Sequence, residues 1–213
     1  MKKALFIQGG WDGHQPERIV QIFADELKAH GFLPEIVASL DVLADEAQLK
    51  TYGLIFPCWT MGQLLPEQEK GLCAAVNSGV GLAGVHGGMG DAFRGRIDYE
   101  WMVGGHFVGH PHVGDYTVKI TDGAHPITAG LPAEFAYKSE QYYMMMDPAV
   151  NVLADTIYTH AGMTVKMPVA WTKMWGAGRV FYNALGHHPD EFTTFPEARR
   201  LTVRGCLWAA GLL

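Results

Sequence analysis

The stretch Val80-Gly-Leu-Ala-Gly-Val-His-Gly-Gly-Met-Gly90 decides the fold that we predict for this chain. Its first half is a short apolar run, typical of a strand buried in a parallel sheet. Its second half is a turn rich in glycine with His86 at the apex, and glycine lets other groups approach a backbone closely. A side chain at such a point lies in the crevice where open α/β sheets bind ligands. The pattern is similar to a nucleophile elbow, but with histidine in place of serine or cysteine.

Strands and helices alternate on the N-terminal side of this stretch. Apolar runs predict strands over residues 3–8, 33–38, 53–57 and 80–85. Helical spacing and end signals predict helices over residues 16–30, 41–48 and 66–78. This alternation predicts a doubly wound, mainly parallel α/β sheet with helices on both faces. The switch point in strand order should lie beside the first strand.

The rhythm changes after the elbow. We predict a helix over residues 94–103 and a loop rich in Gly and His over residues 104–114. Further strands are predicted over residues 116–121, 151–158, 167–174 and 179–184, followed by a final helix over residues 196–210. The turn Trp175-Gly-Ala-Gly178 predicts a β-hairpin near the C-terminus. No repeat or linker interrupts the chain, so residues 1–213 are predicted to form one domain.

Composition narrows the classes of function. The chain is 48% hydrophobic and carries a formal charge of −6, which argues against partners such as nucleic acid or anionic membranes. No apolar run approaches the roughly 18 residues of a membrane span. The first strand begins at Lys3, which leaves no room for a signal peptide, and the three cysteines form no CxxC pair or even disulfide set. We therefore expect a cytoplasmic protein, and apolar positions on the final helix permit a homo-oligomer.

Three of the ten histidines follow predicted strands directly: His14, His86 and His187. Parallel strands end at one edge of a sheet, so these side chains can face one crevice. Histidine titrates near neutrality and is also a common ligand of zinc. The trio is therefore a candidate for acid–base chemistry or for a divalent metal site.

A second group of histidines lies within the predicted loop. His106, His110 and His112 could supply imidazoles to a metal, with Asp115 or a remote histidine completing the site. The alternative is an ordinary Gly/His loop that makes turns and hydrogen bonds.

Other candidate residues are acidic or aromatic. Glu140 lies among aromatic residues that could desolvate it, raise its pKa and make it a general acid or base. Asp12 is a candidate for substrate binding or, alternatively, an acid at a helix N-terminus. Trp59 and Tyr142 could stack on a sugar face, or else pack in the core.

The sequence gives less support to a catalytic nucleophile or to a nucleotide cofactor. Cys58 follows the third strand but has no basic neighbour in sequence to lower its pKa. The segment Gly9-Gly-Trp-Asp-Gly13 lacks the spacing of a GxGxxG motif. A hydrolase or amidotransferase that uses Cys58 as its nucleophile is a third hypothesis, beside the sugar-acting enzyme and the sugar-binding module described below.

Six motifs follow one another along the chain: Gly84-Val-His-Gly-Gly88, Gly104-Gly-His-Phe-Val-Gly-His-Pro111, His125-Pro-Ile-Thr-Ala-Gly130, Glu140-Gln-Tyr-Tyr143, Gly178-Arg-Val-Phe-Tyr-Asn-Ala-Leu-Gly-His187 and Trp208-Ala-Ala-Gly211. Together, and in this order, they resemble the ThuA-like (trehalose utilization) family of the class I glutamine amidotransferase-like superfamily. The resemblance implies a flavodoxin-like fold. It also maps one set of residues onto the family's polar crevice: His14, Trp59, His86, Glu140 and His187.

The resemblance has further implications for activity. Amidotransferases of this fold carry cysteine at the elbow, so His86 implies that glutaminase activity is absent. His187 fits the family's Gly-His, whereas His188 fits the amidotransferase His-Pro-acid, and we favour His187. The implied substrate is a disaccharide such as trehalose, in an oxidised 3-keto form.

Our hypothesis from the sequence is therefore an enzyme that acts on a small sugar or keto-sugar. The expected catalytic residues are His86, His187 and Glu140, acting in acid–base chemistry or in metal-assisted chemistry. For the metal alternative, the ion is a divalent one such as zinc, and the candidate ligands are His14, His86, His187 and His106. The expected substrate-binding residues are His14, Trp59, Asp12, Tyr142 and His110. The alternative is a non-catalytic sugar-binding or regulatory module that uses the same crevice.

Overall fold

In a computed structural model that describes residues 1–213, the chain forms nine strands, seven α-helices and two short 3-10 helices, Asp12–His14 and Asp41–Ala44. The strands are β1 (Lys2–Gly10), β2 (Phe32–Val37), β3 (Leu54–Thr60), β4 (Gly81–Val85), β5 (Gly105–Ile120), β6 (Glu134–Met146), β7 (Asn151–His160), β8 (Met163–Trp175) and β9 (Gly178–Asn183). The helices are α1 (Pro16–Ala29), α2 (Glu46–Leu49), α3 (Pro66–Asn77), α4 (His86–Gly90), α5 (Ile97–Val103), α6 (Glu191–Thr194) and α7 (Pro196–Ala209). All strands join one mixed sheet in the order β2-β1-β3-β4-β9-β8-β7-β5-β6.

The five strands β2, β1, β3, β4 and β9 form a parallel half of the sheet. Helices α1 and α7 pack on one face of it, while α3 and α5 pack on the other. The apolar runs of β1, β3, β4 and β9 are buried on both sides, as Leu5, Phe56 and Leu82 show, whereas the edge strand β2 is partly exposed. Helix-covered strands of this kind must be apolar along their whole length, which is why the sequence reveals them.

Strands β1 and β3 both extend beyond their predicted apolar runs, to Gly10 and Thr60 respectively. Strand β3 continues through Trp59 and Thr60, and Trp59 pairs with Gly9 of β1. The predicted end of this strand at residue 57, which places Trp59 in the loop after it, is therefore wrong. Pairing with β1 keeps the end of β3 extended although its residues are no longer all apolar.

The other half of the sheet is antiparallel, so the prediction of a mainly parallel sheet is wrong. Four of the eight strand pairs are parallel and four are antiparallel. Strands β8 and β9 pair antiparallel up to Trp175 and Gly178, and β6 has no counterpart among the predicted strands. Residues 104–114 belong mainly to β5 and not to a loop.

Pairing with β6 explains why a loop-like sequence becomes a strand. Its glycines and histidines favour turns, but hydrogen bonds across the β5–β6 pair override that local preference. The register shifts between Phe107 and Gly109 and again between Gly109 and His112. Such irregularities bend a strand and redirect its side chains.

The elbow between β4 and α4 has the strained geometry expected from the sequence. His86 has a φ of +43°, in the left-handed region that residues other than glycine rarely adopt. The glycines after it let α4 pack close, since a Cβ on Gly88 would lie 2.9 Å from the Cα of Cys58.

None of the seven helices combines the length and the apolar character that a membrane crossing requires.

Candidate functional site

Four side chains from four places in the chain meet at the carboxyl edge of the parallel half. They are His14, His86, Glu140 and His187, and their ligand atoms all lie within 4.8 Å of one another. The three histidines follow β1, β4 and β9 respectively, whose parallel direction brings their ends together. Glu140 comes instead from β6 in the antiparallel half.

His86 is held from both sides of its ring. Its Nδ1 lies 2.8 Å from the carbonyl oxygen of Ala184, which can only accept, so Nδ1 is the donor. Its Nε2 lies 3.2 Å from Oε2 of Glu140. A neutral His86 therefore points a lone pair at a carboxylate oxygen, and the contact requires either a second proton on the ring or a cation. The ring of Tyr142 stacks on His86 at 3.9 Å between centroids.

His14 is buried and stays neutral. Burial is the main cause that lowers its pKa, to about 3, and the neighbouring imidazoles of His86 and His187 lower it further. Its Nδ1 lies 2.6 Å from the hydroxyl oxygen of Thr60. When that hydroxyl accepts the Nδ1 proton, the Nε2 lone pair of His14 is free to bind a ligand.

Glu140 and His187 act on each other's charge. Burial alone would raise the pKa of Glu140, but its contacts with His187 and His86 outweigh burial and hold the pKa well below its usual range. The prediction that desolvation raises this pKa is wrong, because the aromatic segment brings the carboxylate against imidazoles. The Glu140 carboxylate in turn raises the pKa of His187 against the opposing effect of burial.

The arrangement suits a divalent metal ion. The second ring nitrogens of His14 and His86 are fixed by oxygens of Thr60 and Ala184, as is usual for histidines that bind metals. The buried Nδ1 of His187 lies 3.3 Å from Oε2 of Glu140 but makes no aligned hydrogen bond. Three imidazole nitrogens and a carboxylate are ligands that zinc accepts. These four residues could therefore hold such an ion.

The second group of histidines does not converge. His110 reaches the site, with Nε2 3.5 Å from Oε1 of Glu140. His106 instead contacts Glu100, and His112 contacts the backbone of Asp115. An extended strand rises about 3.3 Å per residue, which carries these histidines apart where a loop could have folded them together. His106 is therefore not a ligand candidate, and the hypothesis of a metal site at this trio is wrong.

The structure also shows which of the two consecutive histidines after β9, His187 or His188, faces the site. His187 faces Glu140, whereas His188 contacts the side chain of Gln15 and lies 3.4 Å from Asp190. Only the first of the two therefore joins the four-residue site.

Trp59 and Asp12 lie beside the four-residue site, on the wall of a cavity of about 470 Å³. Cys58, the candidate nucleophile, is buried, and burial raises the pKa of its thiol to about 12. The thiolate needed for nucleophilic chemistry is thus scarce at neutral pH, which overturns the third hypothesis.

Sequence reasoning missed the residues that orient the site. Thr60 fixes His14, the carbonyl of Ala184 fixes His86, and Gln15 contacts His188. Thr60 is the last residue of β3, Ala184 directly follows β9, and Gln15 directly precedes α1. Their positions at the ends of elements were a usable signal, but the residue types Thr, Ala and Gln do not by themselves indicate such a role.

Comparisons with known proteins agree with this architecture. The profile of the ThuA family, described as trehalose utilisation, matches residues 3–209. A ThuA-like protein from Bacteroides uniformis has 19% sequence identity and a TM-score of 0.78, over 98% of this chain and 91% of that one. A ThuA-like protein from Parabacteroides merdae has 19% identity and a TM-score of 0.78, over 98% and 90%. A cytoplasmic protein from Salmonella typhimurium has 11% identity and a TM-score of 0.69, over 98% and 99%. No curated protein matches the chain.

Proposed function

Because the chain belongs to the ThuA family, described as trehalose utilisation, we propose that it is an enzyme acting on trehalose or a related disaccharide. The proposed substrate form is the oxidised 3-keto-sugar, and the proposed site consists of His14, His86, Glu140 and His187. One observation carries the proposal: Nε2 of His86 and Oε2 of Glu140 face each other at 3.2 Å while Nδ1 of His86 already donates to Ala184. Such a pair holds either a proton or a cation, and both serve chemistry at a carbonyl.

We propose that the four side chains hold a divalent ion, with zinc the ion that best suits their donors. When bound, the ion would act as a Lewis acid for a carbonyl oxygen. The protein's own part is to fix the ligands: Thr60 orients His14, and the carbonyl of Ala184 orients His86. Tyr142 covers one face of His86 and keeps water from it.

Proton transfer is the second part of the proposed chemistry. A hydrogen on the carbon next to a ketone can be removed by a base, and the ketone oxygen then takes up a proton from an acid. His110 is partly exposed at the edge of the site, with Nε2 3.5 Å from Oε1 of Glu140. We propose that His110 removes the proton from that carbon and delivers it to the ketone oxygen, while Glu140, a ligand in the proposed site, orients the imidazole.

The test combines metal content with turnover. Purified wild-type protein should contain about one equivalent of a divalent metal and should convert 3-keto-trehalose in a metal-dependent reaction. His86→Ala should leave the protein nearly free of metal and should lower turnover by more than the roughly 10–100-fold that loss of a ligand's hydrogen-bond partner costs. His106→Ala is the matched control, because His106 contacts Glu100 and not the site, and it should keep both.

Two results would count against the proposal. Equal turnover by wild type and His86→Ala would remove His86 from the mechanism. Calorimetric binding of the sugar without any product, whatever divalent metal is supplied, would favour the non-catalytic sugar-binding or regulatory module that uses the same crevice.

A further inference from the structure

A cavity of about 470 Å³ lies next to the four-residue site and has no part in the chemistry proposed above. It opens at the carboxyl ends of β1 and β2, where Gln8 and Ala38 line it, and is closed by Trp59 of β3 and the first turn of α1. Its volume lies in the range of roughly 300–1,000 Å³ that is usual for small-molecule sites.

The cavity wall offers a flat apolar surface. The indole ring of Trp59 packs against Gly9 and Gly62, and a Cβ on either glycine would lie 2.5 Å from it. Trp59 is half-buried, so part of the ring faces the cavity. An aromatic ring with a polar N–H suits a ligand that has both an apolar face and hydroxyl groups, which describes a pyranose ring.

The charges on the wall disfavour an anion. Two carboxylates line the cavity, from Asp12 and Glu17, together with one cation, Arg18. The guanidinium of Arg18 is already bonded to Gln15 and to Asp190. A helix N-terminus attracts anions, but here Pro16 has no N–H to offer and Glu17 places its own negative charge in that first turn. The ligand that fits is neutral.

The cavity and the four-residue site are separated by a single turn of chain. Asp12 and His14 are the two ends of one short 3-10 turn, so the first lines the cavity while the second belongs to the site. Gln15 also lines the cavity, and its side chain contacts His188, the residue after His187.

We infer that this cavity binds the second, unreacting ring of a neutral disaccharide whose other ring lies at the four-residue site. This inference rests on the proposed function and specifies its substrate class: two-ring, unphosphorylated sugars. A sugar phosphate meets two carboxylates and an Arg18 that is already engaged, and is therefore disfavoured.

Calorimetry with trehalose, glucose and trehalose 6-phosphate tests the inference. Wild-type protein should bind trehalose at least tenfold more tightly than either of the others. Trp59→Ala should weaken trehalose binding at least tenfold, to the level of glucose, and Trp59→Phe should restore most of it. Asp12→Asn should narrow the difference between trehalose and its phosphate two- to fivefold, the effect of one exposed charge. Asp98→Asn, which removes an exposed acid on α5, should leave all three affinities unchanged.

The outcomes separate this inference from the proposed function. If Trp59→Phe, Trp59→Ala and Asp12→Asn all bind trehalose as tightly as the wild type does, the cavity's role is overturned. Equal affinity of the wild type for trehalose and for trehalose 6-phosphate would also overturn it. If Trp59→Ala weakens trehalose binding but the wild-type protein turns over no keto-sugar, the proposed function fails and the cavity's role stands. If turnover occurs but the KM is indifferent to Trp59, the cavity's role fails and the proposed function stands.

Discussion

The parallel half of the sheet and the β5–β6 ribbon bring different chemistry to one site. The parallel half supplies three imidazoles from turns at the ends of β1, β4 and β9. The ribbon supplies the carboxylate of Glu140, together with Tyr142 and His110 around it. The first set is fixed by strands held on both sides, whereas β6 is an edge strand paired only with β5.

The difference shows how charge is balanced at the site. Without the ribbon, the parallel half would hold a cluster of imidazoles with no carboxylate, and there burial first and the neighbouring imidazoles second lower the pKa of His14. With it, the carboxylate of Glu140 raises the pKa of His187 while its own pKa falls. The ribbon therefore decides whether the site accepts a cation.

Removing the ribbon's carboxylate should have the largest effect. Glu140→Gln keeps the shape of the side chain but loses the charge that three imidazoles face, so the affinity for zinc should fall by more than the roughly 10–100-fold that loss of an orienting partner costs. Calorimetric titration of metal-free protein with zinc measures this loss. Lys119 pairs with Glu134 near the exposed end of the same ribbon, and Glu134→Gln should bind zinc like wild type. Undiminished affinity in Glu140→Gln would show that the imidazoles alone form the site.

The two halves touch at Gly87, and a methyl group there should push them apart. A Cβ at Gly87 would lie 2.5 Å from Cε1 of His14 and 3.0 Å from the hydroxyl oxygen of Tyr142. Gly87→Ala should lower the free energy of unfolding by about 1–3 kcal/mol, the usual effect of overpacking. Urea denaturation of Gly87→Ala and of Gly123→Ala makes the comparison, since Gly123 has open space around it. If Gly87→Ala and Gly123→Ala have the same free energy of unfolding, the two halves can move apart without loss of stability.

The parallel half's own support for its ligands should matter less than the ligands themselves. Thr60→Val removes the hydroxyl 2.6 Å from Nδ1 of His14 and keeps the side chain's shape. The affinity for zinc should fall about tenfold, at the lower end of what such orienting partners contribute. Thr60→Ser, which restores a hydroxyl, should recover most of it. A valine variant that binds zinc normally would leave Thr60 with a packing role only.

The smallest effect concerns the backbone of the elbow. Both His86→Ala and His86→Gly remove the imidazole, but only glycine adopts a φ of +43° without strain. The glycine variant should be more stable than the alanine variant by about 1 kcal/mol. At Asp25, an exposed position within α1, the order should reverse because glycine weakens a helix. Thermal denaturation of the four proteins gives both differences, and the same order at the two positions would refute strain at the elbow.

The same two halves differ in how far the sequence predicts them. Strands β1, β3, β4 and β9 were predicted because helices cover both of their faces and demand unbroken apolar runs. Their parallel direction also predicted that His14, His86 and His187 face one crevice. This much follows from local pattern and a general rule of topology.

The ribbon could not be predicted in the same way. Residues 104–114 have the composition of a loop, and only pairing with β6 makes them extended. The approach of Glu140 to His86 depends on how far the bent ribbon reaches over the sheet edge. The sequence around Glu140 does not indicate how far the ribbon extends. Neither the partners of this carboxylate nor the direction of its pKa shift could therefore be predicted from the sequence.

The three cysteines have a practical consequence for spectroscopy. All are buried, and burial raises the pKa of the Cys58 and Cys73 thiols to about 12 and that of Cys206 likewise upward. A maleimide probe at neutral pH should therefore not react with these three thiols. A single cysteine introduced at an exposed point of the ribbon would be the only thiol to react. The native chain is thus ready for fluorescent labelling without first removing any of its own cysteines.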